Sequence, residues 1–91
     1  MTTLTPDQVE TELRALPHWS RQGQSIARTY PFKDFAAAIA FVNKVATLAE
    51  EAWHHPDIDV RWNTVTLTLT THDAGGLTAR DFSLAASIDA L

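Results

Sequence analysis

The chain has 91 residues, fewer than the roughly 150 of a common domain, so a single domain over residues 1–91 is expected and multidomain machinery is excluded. Hydrophobic residues make up 45% and charged residues 20%, which excludes a disordered chain and supplies one modest core. The net charge of −4 and the scattered Arg and Lys argue against direct nucleic-acid binding, and the lack of Cys excludes disulfides, zinc–thiolate centres and a thiol nucleophile. Met1 to Glu10 has no basic region leading into an apolar run, and no apolar stretch reaches the ~18 residues of a membrane span. The expected location is cytoplasmic.

Thr5-Pro6-Asp7 is a helix start, with Thr5 as N-cap and Pro6 in the first turn, and Val9, Leu13 and Leu16 follow at helical spacing until Pro17. His18, Trp19 and Ser20 read as a short strand before the turn Arg21-Gln22-Gly23-Gln24, with Ile26 to Phe32 as hairpin partner. From Phe32 to about Trp53, the positions Phe35, Ile39, Val42, Val45, Ala46, Ala49 and Trp53 recur at three- and four-residue steps and predict the main amphipathic helix. Pro56 disfavours helical geometry at His55, so this helix should stop near His54. Asp57 to Trp62 is a loop or short strand. Thr64 to Thr71 is the clearest strand, because Val65, Leu67 and Leu69 alternate with threonines. Asp73-Ala74-Gly75-Gly76 is a turn, and Thr78 to Asp81 is a capping box opening a last helix through Leu84, Ile88 and Leu91. The order α-β-β-α-β-β-α is that of an α+β two-layer sandwich.

Chemistry-bearing side chains concentrate late in the main helix and beyond it. Glu50 and His54 lie four apart, so on a helix they share a face and touch, the carboxylate orienting the imidazole. His55 must point elsewhere into the same mouth, and His72, with the parity of the strand's threonine face, stands where a chain end meets a loop. Histidine exchanges protons near neutrality, which suits general acid–base work. Taken one by one, the same residues have plainer readings. His18, Glu50 and Glu51 are solvated, Asp81 is a capping residue, the threonine stripe is a strand's outer face, and Trp53 and Trp62 pack into a small core.

Glu50-Glu51-Ala52-Trp53-His54-His55-Pro56, then five residues, Trp62, nine residues, His72, eight residues and Asp81 resembles the signature of the pterin-4a-carbinolamine dehydratase family. Trp19, Phe32-Lys33-Asp34-Phe35, Thr71-His72, Gly76-Leu77-Thr78 and Asp81-Phe82-Ser83-Leu84-Ala85 also fit, so the resemblance spans essentially the whole chain. It implies a four-stranded antiparallel sheet covered on one side by helices, and pairing into homodimers or homotetramers. The implied activity is dehydration of 4a-hydroxytetrahydropterin, the product left by aromatic amino acid hydroxylases, to quinonoid dihydropterin. Pterin is the substrate, so neither cofactor nor metal is implied. Carried over by residue, His54 and His72 do the acid and base work, with the assignment between them open. Glu50 orients His54, and His55 holds the pterin and its hydroxyl. Pro56 shapes the exit, Thr71 and Asp73 contact substrate, Asp81 braces the last helix and Trp62 gives structural support. Two departures from animal members stand out: Trp53 replaces an acidic residue and Ala74 a cysteine.

Three rival readings remain. One is a partner-binding module using the main helix from Phe35 to Ala52, as in some animal relatives. Another is a catalytically silent member that assists molybdopterin metabolism. The third is a metal site of His54, His55, His72 and Glu50, which the adjacency of two of the histidines disfavours.

Overall fold

A computed structural model describes residues 2–91; Met1, which the expected domain and the reading of the N-terminus include, lies outside the described residues. Helix α1 (Pro6–Arg14) starts as its sequence dictates: the Thr5 hydroxyl accepts from the Gln8 amide, and the Gln8 side chain accepts from the Thr5 amide. Beyond α1 the short strand lies later than expected. Leu16 and Trp19 are drawn into the core, with the Trp19 amide bonded to the Leu16 carbonyl, so Pro17 and His18 form a turn. Strand β1 is therefore Ser20–Gln22, and the turn into β2 (Ser25–Pro31) shrinks to Gly23 and Gln24, with Gly23 at φ 62°.

Helix α2 (Phe35–Ala52) also begins later than its apolar periodicity suggests. The Phe32 backbone is already committed to Asn63, which accepts at its carbonyl and donates from its side chain, and Asp34 caps the Ala37 amide at 2.8 Å. Ala38, Val45 and Ala49 are buried, and Phe41, Val42 and Leu48 pack against the core. Phe35, expected on that face, is 53% exposed. Strands β3 (Asp57–Arg61) and β4 (Thr64–Leu69) complete an antiparallel sheet in the order β1-β2-β4-β3. Its register places Ile26, Arg28 and Tyr30 beside Leu69, Leu67 and Val65 on the helix-covered face. The other face carries the threonines, with Thr29 and Thr66 joined through their hydroxyls at 3.0 Å. The alternation along β4 is thus the buried–polar alternation the sequence predicts.

Helix α3 (Ala79–Asp89) opens with the Thr78/Asp81 capping box and buries Phe82, Leu84, Ala85 and Ile88. At its far end Asp89 accepts from the Trp19 indole at 3.0 Å, from Arg28 at 2.8 Å and from the Tyr30 hydroxyl at 2.8 Å. Burial foremost, and then the bond to Asp89, push the Tyr30 phenol well above its ordinary range. The result is the expected α+β arrangement, α-β-β-α-β-β-α, with helices over one side of a four-stranded sheet. Among the described residues no helix is long and apolar enough to cross a membrane.

Candidate active site

The site starts where α2 stops. Trp53 caps the helix in the left-handed region (φ 50°, ψ 46°), its amide still bonded back to the Glu50 carbonyl. That turn breaks the helical phase before His54, which swings inward to 8% exposure and brings its Nε2 to 2.5 Å from Asp81 Oδ1 of α3. The expected Glu50–His54 contact is therefore replaced: Glu50 Oε2 lies 2.6 Å from His55 Nε2. Four-residue spacing joins side chains only while both residues are helical, and His54 is not.

Asp81 does more than brace its helix. It is fully buried, and its second oxygen accepts from the Thr71 hydroxyl and the Thr78 amide, both at 2.9 Å. With the Thr71 proton given to Asp81, the 2.8 Å link between Thr71 and Thr78 has Thr78 as donor, and the Thr78 oxygen in turn accepts from the Arg80 amide. Among the described residues no buried side-chain polar atom is left without a partner, so the network is closed. A carboxylate that only accepts fixes the proton of His54 on Nε2 and leaves Nδ1 free for chemistry.

These elements converge on a cavity of about 270 Å³ lined by Trp53, His54, His55, Thr70, Thr71, His72, Asp73 and Arg80. His72 and Asp73, both exposed, arrive on a 3₁₀ turn, His72–Ala74, that ends at Gly75 (φ 77°) and is closed by a bridge between Thr71 and Gly76. Of the residues singled out from sequence, His54, His55, His72, Thr71 and Asp73 thus meet at one mouth. The Thr71 hydroxyl, expected to meet substrate, is committed to Asp81 and Thr78. Glu50 stands behind His55 and outside the lining, and half-buried Pro56 lies outside it too, leading the chain into β3.

Both tryptophans depart from the packing role expected of them. Trp62 is 70% exposed at φ 51°, in the turn between β3 and β4, and Trp53 is 72% exposed on the cavity rim, because each occupies a left-handed position that points the side chain off the core. Sequence reasoning also missed Arg80, whose guanidinium donates to the Trp53 carbonyl and so ties the first turn of α3 to the cap of α2. Nothing local in the sequence marks that contact; the one available signal was that Arg80 adjoins the capping aspartate. Among the described residues no three His, Asp or Glu side chains form a group able to hold a metal ion. Three imidazoles on one small polar cavity, one of them held by a buried carboxylate, can move protons on a bound molecule at two points.

Residues 2–91 match the family model described as pterin 4 alpha carbinolamine dehydratase. A protein of Acidobacterium capsulatum named "Putative pterin-4-alpha-carbinolamine dehydratase" is 62% identical over 91 residues, covering 100% of this chain and 99% of that one. A protein of Nocardia farcinica with the same name is 57% identical over 93 residues, covering 100% and 98%. The crystal structure of a transcriptional coactivator/pterin dehydratase from Brucella melitensis superposes with a TM-score of 0.93 at 35% identity, covering 98% of this chain and 97% of that one. A pterin dehydratase-like protein identified as a RuBisCO assembly factor in the alpha-carboxysome superposes with a TM-score of 0.67 at 29% identity, covering 79% and 86%.

Proposed function

The chain belongs to the pterin-4a-carbinolamine dehydratase family, and from that premise we propose that it is a hydro-lyase converting 4a-hydroxytetrahydropterin to quinonoid dihydropterin and water. The observation that carries the reading is the meeting of His54, His55 and His72 on one cavity, with Asp81 and Glu50 each backing one imidazole. The reaction breaks the bond from C4a to its hydroxyl oxygen and removes the proton on N5. The nitrogen's electron pair forms the new C=N bond, and the hydroxyl departs as water once protonated. One acid and one base therefore suffice, each contributing on the order of 10²–10⁴ in rate. No electrons are exchanged with a partner, so the chemistry asks for neither a redox cofactor nor a metal.

In this reading His54 and His72 carry the two protons and His55 holds the pterin and its hydroxyl. The buried Asp81 suits His54 to the task, since an acceptor on Nε2 both aims the ring and stabilises the imidazolium formed when Nδ1 takes a proton. The cavity is small and open, which suits a bicyclic ring whose side chain extends into solvent. The reaction would regenerate the pterin used by aromatic amino acid hydroxylases in a cytoplasmic setting, consistent with a chain that uses no Cys. Association into a homodimer or homotetramer belongs to the same reading and is supported by Phe35, an aromatic side chain left on the outer side of α2.

A second reading, a binding member without catalysis, draws on the likeness to the RuBisCO assembly factor. The two separate on the dehydration rate of freshly generated 4a-hydroxytetrahydropterin, followed by ultraviolet absorbance. Acceleration by the wild type and its loss in His54→Ala/His72→Ala support the enzyme. A wild type no faster than the spontaneous reaction leaves the binding reading.

A further inference from the structure

Trp53 is a costly residue where it stands. Its indole is 72% exposed, whereas the indole of Trp19 is buried and hydrogen-bonded to Asp89. Its backbone occupies the left-handed region, where a bulky side chain is disfavoured and glycine is the usual occupant. The ring nevertheless has a partner, and its backbone is tied down. It meets the His55 imidazole at nearly a right angle (82°) with centroids 5.1 Å apart, His55 is held by Glu50, and Arg80 holds the Trp53 carbonyl. The indole is also part of the cavity wall beside His54 and His55. Trp62 supplies an internal contrast: it is as exposed and as left-handed, but stands in the β3–β4 turn and takes no part in that wall.

We infer that Trp53 is a stacking wall for the substrate, its open indole surface lying against the flat N1–C2–N3–C4 edge of the pterin's pyrimidinone ring, away from the tetrahedral C4a. This rests on the proposed pterin chemistry and adds to it a binding residue that moves no proton. The flat, conjugated amide–guanidine segment of that ring gains from an offset stack on an indole, and the gain is larger when the indole is already held in place. Because such stacking is made equally with substrate and transition state, it lowers KM and leaves kcat nearly unchanged.

The test uses the full chain labelled with ¹⁵N. The indole N–H signals of Trp19, Trp53 and Trp62 are assigned with Trp53→Phe and Trp62→Phe, and the protein is titrated with 7,8-dihydropterin, which lacks the 4a-hydroxyl. The Trp53 indole signal should move while those of Trp19 and Trp62 stay. In the dehydration assay Trp53→Ala should raise KM on the order of 3- to 10-fold with kcat within about twofold, Trp53→Phe should recover most of the loss, and Trp62→Ala should match the wild type. A titration that shifts His54 and His72 signals but leaves the Trp53 indole unmoved overturns the inference, as does an unchanged KM in Trp53→Ala. The two failures separate cleanly. A wild type that dehydrates substrate while Trp53→Ala keeps its KM overturns the stacking wall alone. A wild type that binds pterin against Trp53 without accelerating dehydration overturns the reaction alone.

Discussion

Asp81 and Asp89 stand at opposite ends of α3, and each gathers three hydrogen-bonding residues, but what they hold differs. Asp89, at the carbonyl-rich C-terminus where a negative charge is disfavoured, is compensated by Arg28 and joins Trp19 and Tyr30, residues of the β1–β2 side of the sheet. All its partners are committed to packing; Arg28 even lies over the Tyr30 ring, 4.3 Å from its centroid. Asp81, at the favourable N-terminus, takes two of its three partners, Thr71 and Thr78, from its own neighbourhood, and the third is an imidazole that opens on the cavity. One end closes the fold; the other spends a buried carboxylate on aiming a single side chain. The same acid in the same helix thus serves packing alone or holds a side chain of the candidate site according to whether a partner lines the cavity, as His54 does and no partner of Asp89 does.

That contrast is breakable, and the largest effect should come from His72. It lies exposed on its 3₁₀ turn, so His72→Ala should remove on the order of 10²-fold or more of the dehydration rate while leaving the thermal midpoint within a degree or two of wild type. A large fall in the midpoint would make His72 a structural residue. At the other end, Asp89→Asn should leave the rate within about twofold but cost roughly 1–3 kcal/mol of stability, read as a lower urea midpoint; unchanged stability would mean that the Asp89 cluster is ornamental. Tyr30 sharpens the same end through pH. Its folded phenol is raised above the unfolded value of 10.0, chiefly by burial. The stability contribution is therefore complete below pH 10.0 and is lost as pH rises from there through the folded value. Urea unfolding at successive alkaline pH values should show that decline, with a shallower slope for Tyr30→Phe. The smallest effect belongs to Glu50→Gln. The Glu50–His55 pair is more than half exposed on both sides, and such pairs are worth at most about 1 kcal/mol. A change in KM of a few-fold is expected, and a hundredfold loss would make Glu50 part of the proton machinery.

Much of the fold was legible because its signals are local. The alternation in β4, the N-cap at Thr5 and the capping box at Thr78 survive unchanged. Helix and strand limits moved where a distant group claimed the backbone, as Asn63 does at Phe32, or where the core claimed a side chain, as it does with Trp19. The three histidines at the mouth were legible as a set, but their carboxylate partners were not. A spacing of four between Glu50 and His54 has meaning only on a continuous helix, and the left-handed Trp53 ends that continuity one residue too soon. The partner His54 does take, Asp81, is 27 residues away, and Asp89 reaches partners 59 to 70 residues away. Such pairings carry no periodic trace. Trp53 and Trp62 were misplaced for a related reason: composition puts large aromatics in the core, whereas the backbone conformation at these two positions turns them out.

The most direct test of the account is the kcat of Asp81→Asn. The substitution keeps the size of the side chain and an acceptor for the Thr71 and Thr78 donors, but offers His54 Nε2 an amide in place of a carboxylate oxygen, which favours the wrong tautomer. A fall of roughly 10²-fold or more in kcat, in a protein that remains folded, is the predicted result. A folded Asp81→Asn protein that turns over at the wild-type rate would contradict the role of the buried carboxylate and, with it, the distinction between the two ends of α3.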